Sequence, residues 1–171
     1  MDLKIIRPHI AFKTSFLEGL RQFQAEGLPW FQSMNYDWIE ENFEEYIEGE
    51  LSSATSRAEG LVPETKFWGI FKDEYAGKIS IRHELNDSLR VMGGHIGYDT
   101  VPSFRGRGIG SQMLSLVLPE AKSLGLKRVL LTCDDNNFPS IRIIEKNGGK
   151  LERKAVLDPG KPLKRYYWIE L

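Results

Sequence analysis

The chain has little cysteine, no long apolar run and almost no net charge, and each shortage removes a class of protein. Its single cysteine, Cys133, has no partner for an internal disulfide and suits a reducing compartment. Net charge is −1, so no general attraction to nucleic acid or to an anionic membrane is expected. No window approaches the roughly 18 apolar residues of a membrane span, and Met1-Asp2-Leu3-Lys4 begins no signal-like apolar run. Internal repeats, low-complexity tracts and linkers are also lacking. At 171 residues and 41% hydrophobic, the expectation is one cytoplasmic domain that buries about 70% of its unfolded surface. Cys133 lies in an apolar run and reads as a small buried hydrophobe rather than a catalytic thiol.

What is present alternates between strand and helix patterns. Residues 3–7 read as a strand closed by Pro8. Phe16, Leu17, Leu20 and Phe23 recur at helical spacing within 11–25. A second helix is expected from Asp37 as N-cap, with Trp38, Ile39, Phe43, Tyr46 and Ile47 on one face. Glu40, Glu41, Glu44, Glu45 and Glu48 lie on the other, a solvated face by default. Strands at 66–72 and 78–84 flank a hairpin turn. Then follow a strand at 95–101, a helix at 108–124, a strand at 128–133, a helix at 139–146, and strands at 151–157 and 163–171. Pro119 should kink or end the long helix.

The richest stretch runs from His95 to Gly110. A β-prone run meets Pro102, then Arg105-Gly106-Arg107-Gly108-Ile109-Gly110 opens a long apolar helix pattern. Such a turn aims unpaired main-chain N–H groups and the positive end of the helix dipole outward, an arrangement that binds phosphate oxygens. The glycines remove bulk where a backbone approaches its ligand, and the arginines add charge beside it. A pyrophosphate-containing ligand is expected. A Walker loop is excluded, since Ser111-Gln112 follows Gly110 where Lys-Ser/Thr belongs. A Rossmann fingerprint fails at Met113, although Asp134-Asp135 closes the next strand as that motif requires.

Arg105-x-x-Gly108-x-Gly110 after a Pro-terminated strand resembles the coenzyme A pyrophosphate loop of the GNAT superfamily of acetyl-CoA-dependent N-acetyltransferases. Asp135-Asn136-Asn137-Phe138-Pro139-Ser140 through Asn147-Gly148 resembles its second cofactor segment. The phrases Ile81-Arg82-His83-x-Leu85-Asn86 and Gly93-Gly94-His95-Ile96-Gly97-Tyr98 resemble a bacterial subgroup of that superfamily. The likeness covers about 64–171, the expected cofactor half, with acceptor-side helices at about 9–60. It implies an α/β (α+β) fold with a mixed, mostly antiparallel central sheet. Parallel strands would splay at the cofactor site, with helices on both faces.

The resemblance further implies that main-chain groups of Tyr98, Asp99 and Thr100 pair with pantetheine as an added strand would. Arg105, Gly106, Arg107, Gly108, Ile109, Gly110 and Ser111 would hold the pyrophosphate. Asn137 would bond the pantetheine arm, with Ser140 close by. A main-chain N–H at the splay would polarise the thioester carbonyl. No metal is implied.

The acid/base positions depart from the family pattern. Ribosomal-protein acetyltransferases of this superfamily carry a glutamate before the asparagine and a tyrosine after it, where this chain has Thr132 and Ile144. His83 and His95 are the candidate bases, with Glu84, Asp99 and Tyr98 behind them. The alternative for each histidine is a hydrogen-bonded core residue. Arg82 and Asn86 either bind an acceptor carboxylate or cap a turn. The function implied is direct acetyl transfer to a primary amine of a small molecule or peptide. The alternative is a non-catalytic acyl-CoA-binding or sensing module. Tyr166-Tyr167-Trp168-Ile169 is apolar enough to pair with a second copy, and no nucleic acid or membrane partner is expected.

Overall fold

The computed structural model describes residues 2–55 and 60–171. Four strands form one antiparallel sheet in chain order: β1 (Leu3–Ile6), β2 (Glu64–Phe71), β3 (Glu74–Arg82) and β4 (Ile96–Thr100). A second antiparallel sheet has β5 (Arg128–Asp134) and β6 (Lys150–Ala155) on either side of β7 (Lys164–Glu170). The mixed α/β class, the antiparallel majority and the helices on both faces agree with expectation.

Burial on both faces explains the near-continuous apolar run of β2. Trp68 and Ile70 pack against α1 (Lys13–Ala25), whose Phe16 stacks on Trp68 with centroids 4.7 Å apart. Phe67 and, on β3, Ile79 and Ile81 face the opposite cluster with Met113, Leu114 and Val117 of α6 (Ile109–Ser123). Burying each such side chain stabilises the fold by about 1.5–3 kcal/mol.

Three local expectations fail for packing reasons. The helix after residue 35 is capped by Asn35, whose side chain accepts the Trp38 N–H at 3.1 Å, while Asp37 sits in the first turn. It breaks at Asn42 into α3 (Tyr36–Glu41) and α4 (Phe43–Ser52), joined to α1 by α2 (Pro29–Gln32). α6 continues through Pro119, because Val117 and Ala121 on either side are fully buried and hold the helix in register. A short helix, α5 (Asp87–Val91), stands where only a turn was read. The remaining helix is α7 (Phe138–Lys146). β7 has a strand on each side and buries Tyr166, Tyr167 and Ile169 within this chain, so both of its edges are taken; the open edge of that sheet is β6.

The two sheets meet at one seam. Among the described residues no ladder joins β4 to β5; the single bridge is Gly94 to Leu131, antiparallel in sense and just upstream of β4. His95 N–H donates to Leu130 O at 2.7 Å, and Gly93 N–H to Thr132 Oγ1 at 2.9 Å. Gly94 must be glycine: φ is +68°, and a Cβ would lie 2.3 Å from Leu130 O. Past this stitch the strands part.

Candidate active site

Where β4 and β5 part, a cleft of about 980 Å³ opens, at the upper end of ligand-site volumes. Its walls are Ile96–Thr100, residues 131–134 of β5, the start of α6, and the first turn of α7. Arg82 N–H to His95 O and Val101 N–H to Ala76 O bracket the β3–β4 ladder. Antiparallel alternation then turns the main-chain groups of Ile96, Tyr98 and Thr100 toward the cleft, and those of Asp99 toward β3. β4 thus presents an open strand edge.

At the cleft's other end, Gly108 caps α6 in the left-handed conformation at φ +78°. From Gly106 to Ser111 no main-chain N–H finds an acceptor among the described residues, and intrahelical bonding starts with Gln112 N–H to Gly108 O at 3.0 Å. The orphan donors and the helix dipole focus positive potential there. Gly110 permits a close approach, since a Cβ would meet Ile143 Cδ1 at 2.9 Å. Of the residues expected to bind cofactor, Arg107 alone does not line the cleft; its guanidinium lies over Phe104 at 5.5 Å. Arg105 lines it, with two nitrogens bound to the Glu26 carboxylate and Nε donating to Thr100 O at 3.1 Å. Asn137 caps α7: its Oδ1 accepts Ser140 N–H at 3.1 Å, turning Nδ2 into the donor left for a ligand.

Midway along the cleft, Tyr98 Oη lies 2.8 Å from Ser140 Oγ, and Cys133 lines the same stretch. Burial pushes the Tyr98 phenol up, against the opposing effect of Ser140, so it stays a neutral donor at physiological pH. Burial likewise raises the Cys133 thiol, which disfavours the thiolate a nucleophile needs. Burial raises the Asp99 carboxyl, with Lys78 and Arg105 pulling it back down.

The two histidines stand apart from this cluster, and neither lines the cleft. His83 Nε2 is 2.8 Å from Thr65 Oγ1. His95 is 7% exposed, and its Nδ1 accepts Leu130 N–H at 2.9 Å. Burial first, then Arg90, Arg82 and Arg128, lower its pKa to about 4. Asn86 caps α5 by accepting Leu89 N–H at 2.9 Å. Arg82 does line the cleft, where its Nη1 donates to Gly94 O at 3.1 Å. Trp30, one of the aromatic residues concentrated before residue 50, lines the cleft, as do Glu26, Leu28 and Lys164, which no sequence motif marks. Among the described residues no group of three or more His, Cys, Asp or Glu is placed to hold a metal, and no helix is long and apolar enough to cross a membrane.

The His95 environment makes a stability prediction. A depressed histidine pKa means the unfolded chain binds the extra proton between about 6.5 and about 4, so stability is complete above pH 6.5 and falls below it. The loss expected by pH 4.5 is on the order of 2 kcal/mol. Urea denaturation of wild type and His95→Gln at both pH values checks it: the variant should start less stable and lose less on acidification.

An open strand edge facing a helix N-terminus across a deep cleft defines a site for an extended ligand that carries phosphate. The acetyltransferase (GNAT) domain family matches residues 17–150, and the chain belongs to that family. It is accordingly an acetyl-CoA-dependent acetyltransferase, and the match includes most of α1 and all of α2 to α4, which the motifs alone did not reach. No curated protein matches it. Among solved structures it is similar to RimL, a ribosomal L7/L12 alpha-N-protein acetyltransferase in complex with coenzyme A. That pair shares 19% identity over 99% of this chain and 94% of that one, with a TM-score of 0.71. The microcin C7 self-immunity acetyltransferase MccE, in complex with acetyl-CoA and AMP, is 16% identical over 99% and 92%, TM-score 0.71. Mycobacterium smegmatis RimJ, in complex with CoA-disulfide, is 17% identical over 98% and 81%, TM-score 0.72. At these identities the likeness is one of fold.

Proposed function

We propose that the protein moves the acetyl group of acetyl-CoA onto a primary amine by direct attack in a ternary complex. The observation that carries this reading is the cleft itself, with an unladdered β4 edge on one wall and open N–H donors at the α6 N-terminus. Main-chain groups of Tyr98 and the Thr100 N–H pair with pantetheine, residues 106–111 take the diphosphate, and Asn137 Nδ2 bonds the pantetheine arm. Residues 1–171 act as one domain, with 64–171 holding the cofactor and helices at about 9–60 forming the acceptor side.

In the reaction the neutral amine's nitrogen bonds to the carbonyl carbon, the C–S bond breaks, and the proton that the nitrogen sheds passes through water to the departing sulfur, giving amide and free thiol. A β4 N–H stabilises the oxyanion, and the thiolate leaves with the electron pair. A thiol of pKa about 8.5 needs little acid help. The Ser140 hydroxyl, held by Tyr98, gives the departing sulfur its hydrogen bond. We assign His83 and His95 to structure, and Thr132 and Ile144 no proton-transfer role.

Thiol release from acetyl-CoA across a panel of small and peptide amines tests the function; tight binding with no turnover on any amine would favour the sensing alternative. Ser140→Ala should lower kcat about 10- to 100-fold, as expected for a lost hydrogen bond to developing charge, with KM for acetyl-CoA little changed. Cys133→Ala should keep near wild-type kcat. An inactive Cys133→Ala protein that still binds acetyl-CoA would argue for an acyl-enzyme instead.

A further inference from the structure

The second sheet carries a cationic face that begins at the cleft. Residues directly opposite in an antiparallel pair share a face, so Thr132, Tyr166 and Arg153 form one row across β5, β7 and β6. Leu130, Trp168 and Lys150 form the next. Thr132 lines the cleft, and Arg153 on the open edge strand is two strand spacings away, about 10 Å. The Arg153 guanidinium lies 3.7 Å over Tyr166, and that of Arg128 lies 4.1 Å over Trp168. α5 adds Arg90 at the rim, beside Val91 and Met92, which are 50% and 60% exposed. Among the described residues Arg90, Arg128 and Lys150 have no ion pair, and Arg153 has one exposed neighbour, Glu152 at 3.7 Å. Glu170, directly opposite Arg128, and Glu152 are the acids beside these cations, and Arg90, Arg128, Lys150 and Arg153 outnumber them, a local cationic excess in a chain of net charge −1.

We propose that this face is the docking track of the acceptor, and that the acceptor is an acidic polypeptide whose free amine enters the cleft beside Thr132. The inference rests on the transferase reading above and narrows its substrate. An extended chain advances about 3.3 Å per residue, so acidic side chains from roughly the third residue after the reactive amine onward meet Arg153, then Arg128 and Lys150. A polypeptide fits better than a nucleic acid. Base stacking needs open aromatic faces, and here Tyr166 and Trp168 are already covered by guanidinium groups. The exposed Val91 and Met92 suit apolar side chains between the acidic ones.

The test uses three synthetic peptides with the same free N-terminal dipeptide and tails rich in Glu, Gln or Lys. For the wild type, kcat/KM from thiol release should favour the Glu tail over the Lys tail by about tenfold or more, mostly through KM, and the preference should shrink at high salt. Arg128→Gln/Arg153→Gln should abolish the preference while acetyl-CoA affinity by titration stays unchanged. If that pair lowers solubility or helicity, Arg90→Gln, which lies outside the sheet, should reduce the preference alone. Equal turnover of the three tails, or a preference that survives the substitutions, overturns the proposal. So does stronger competition by a single-stranded oligonucleotide than by the Glu peptide, or a dimer that the substitutions dissociate. Turnover of small amines with none of any peptide overturns it too, yet leaves the transferase reading intact. Failure of the wild type to bind acetyl-CoA would instead remove that reading.

Discussion

A Gly108→Val protein should bind acetyl-CoA about a hundredfold more weakly than the wild type while remaining folded. Gly108 holds φ at +78°, and a β-branched residue forced there costs about 1–3 kcal/mol or escapes by moving the loop. Movement redirects the N–H groups of residues 106–111, each worth about 1.5–3 kcal/mol against a charged oxygen. Losing the equivalent of one or two such bonds corresponds to a hundredfold in affinity. The structure supplies a matched control. Gly125, just beyond the other end of α6, is left-handed at φ +86° with nothing within 4 Å of its added Cβ. Gly125→Val should therefore cost comparable stability with no loss of cofactor affinity. Isothermal titration of both variants separates backbone strain from phosphate binding, and equal affinities would remove the loop from the site.

Gly94→Ala should be the most damaging single methyl addition in the chain. The new Cβ would sit 2.3 Å from Leu130 O and 2.8 Å from Leu130 C, both main-chain atoms that cannot rotate aside. The left-handed conformation adds about 1–2 kcal/mol for any residue with a Cβ. Separating the strands also breaks His95 N–H to Leu130 O and Leu130 N–H to His95 Nδ1, both buried. A total near 4 kcal/mol is expected, which for a domain of this size lowers Tm by roughly 8–16 °C. Gly97→Ala is the comparison: its backbone is not left-handed, its Cβ would meet Arg82 Nη2 at 3.5 Å, an ordinary contact, and the melt should shift much less. A Gly94→Ala loss under about 1 kcal/mol would mean that the seam is not closed in solution.

Local signals were the legible ones. The Arg105–Gly110 turn is readable because glycine at φ +75° and +78°, followed by an apolar helical period, is a short-range code. Helices α1, α6 and α7 follow from apolar spacing alone. What depended on partners far along the chain was not legible. Pro119 reads as a helix breaker until Val117 and Ala121 are seen locked in the core. His95 reads as a base because its spacing carries no record of Leu130, which takes its Nδ1 lone pair. Arg105 reads as a free phosphate ligand, while in the fold Glu26, distant in sequence, already holds it. Asn86 reads equally as a ligand or a cap, because the helix it caps, α5, is too short for its period to announce it.

The placing of β7 has a consequence for biosynthesis. It is made after β5 and β6 yet lies between them, and those two strands have no hydrogen bonds to each other without it. While translation proceeds, the first sheet can pair its strands in the order they are made, but half of the cleft wall waits for residues 164–170. Such late, long-range closure is slow and leaves strand edges bare, so nascent chains should lean on chaperones during that interval.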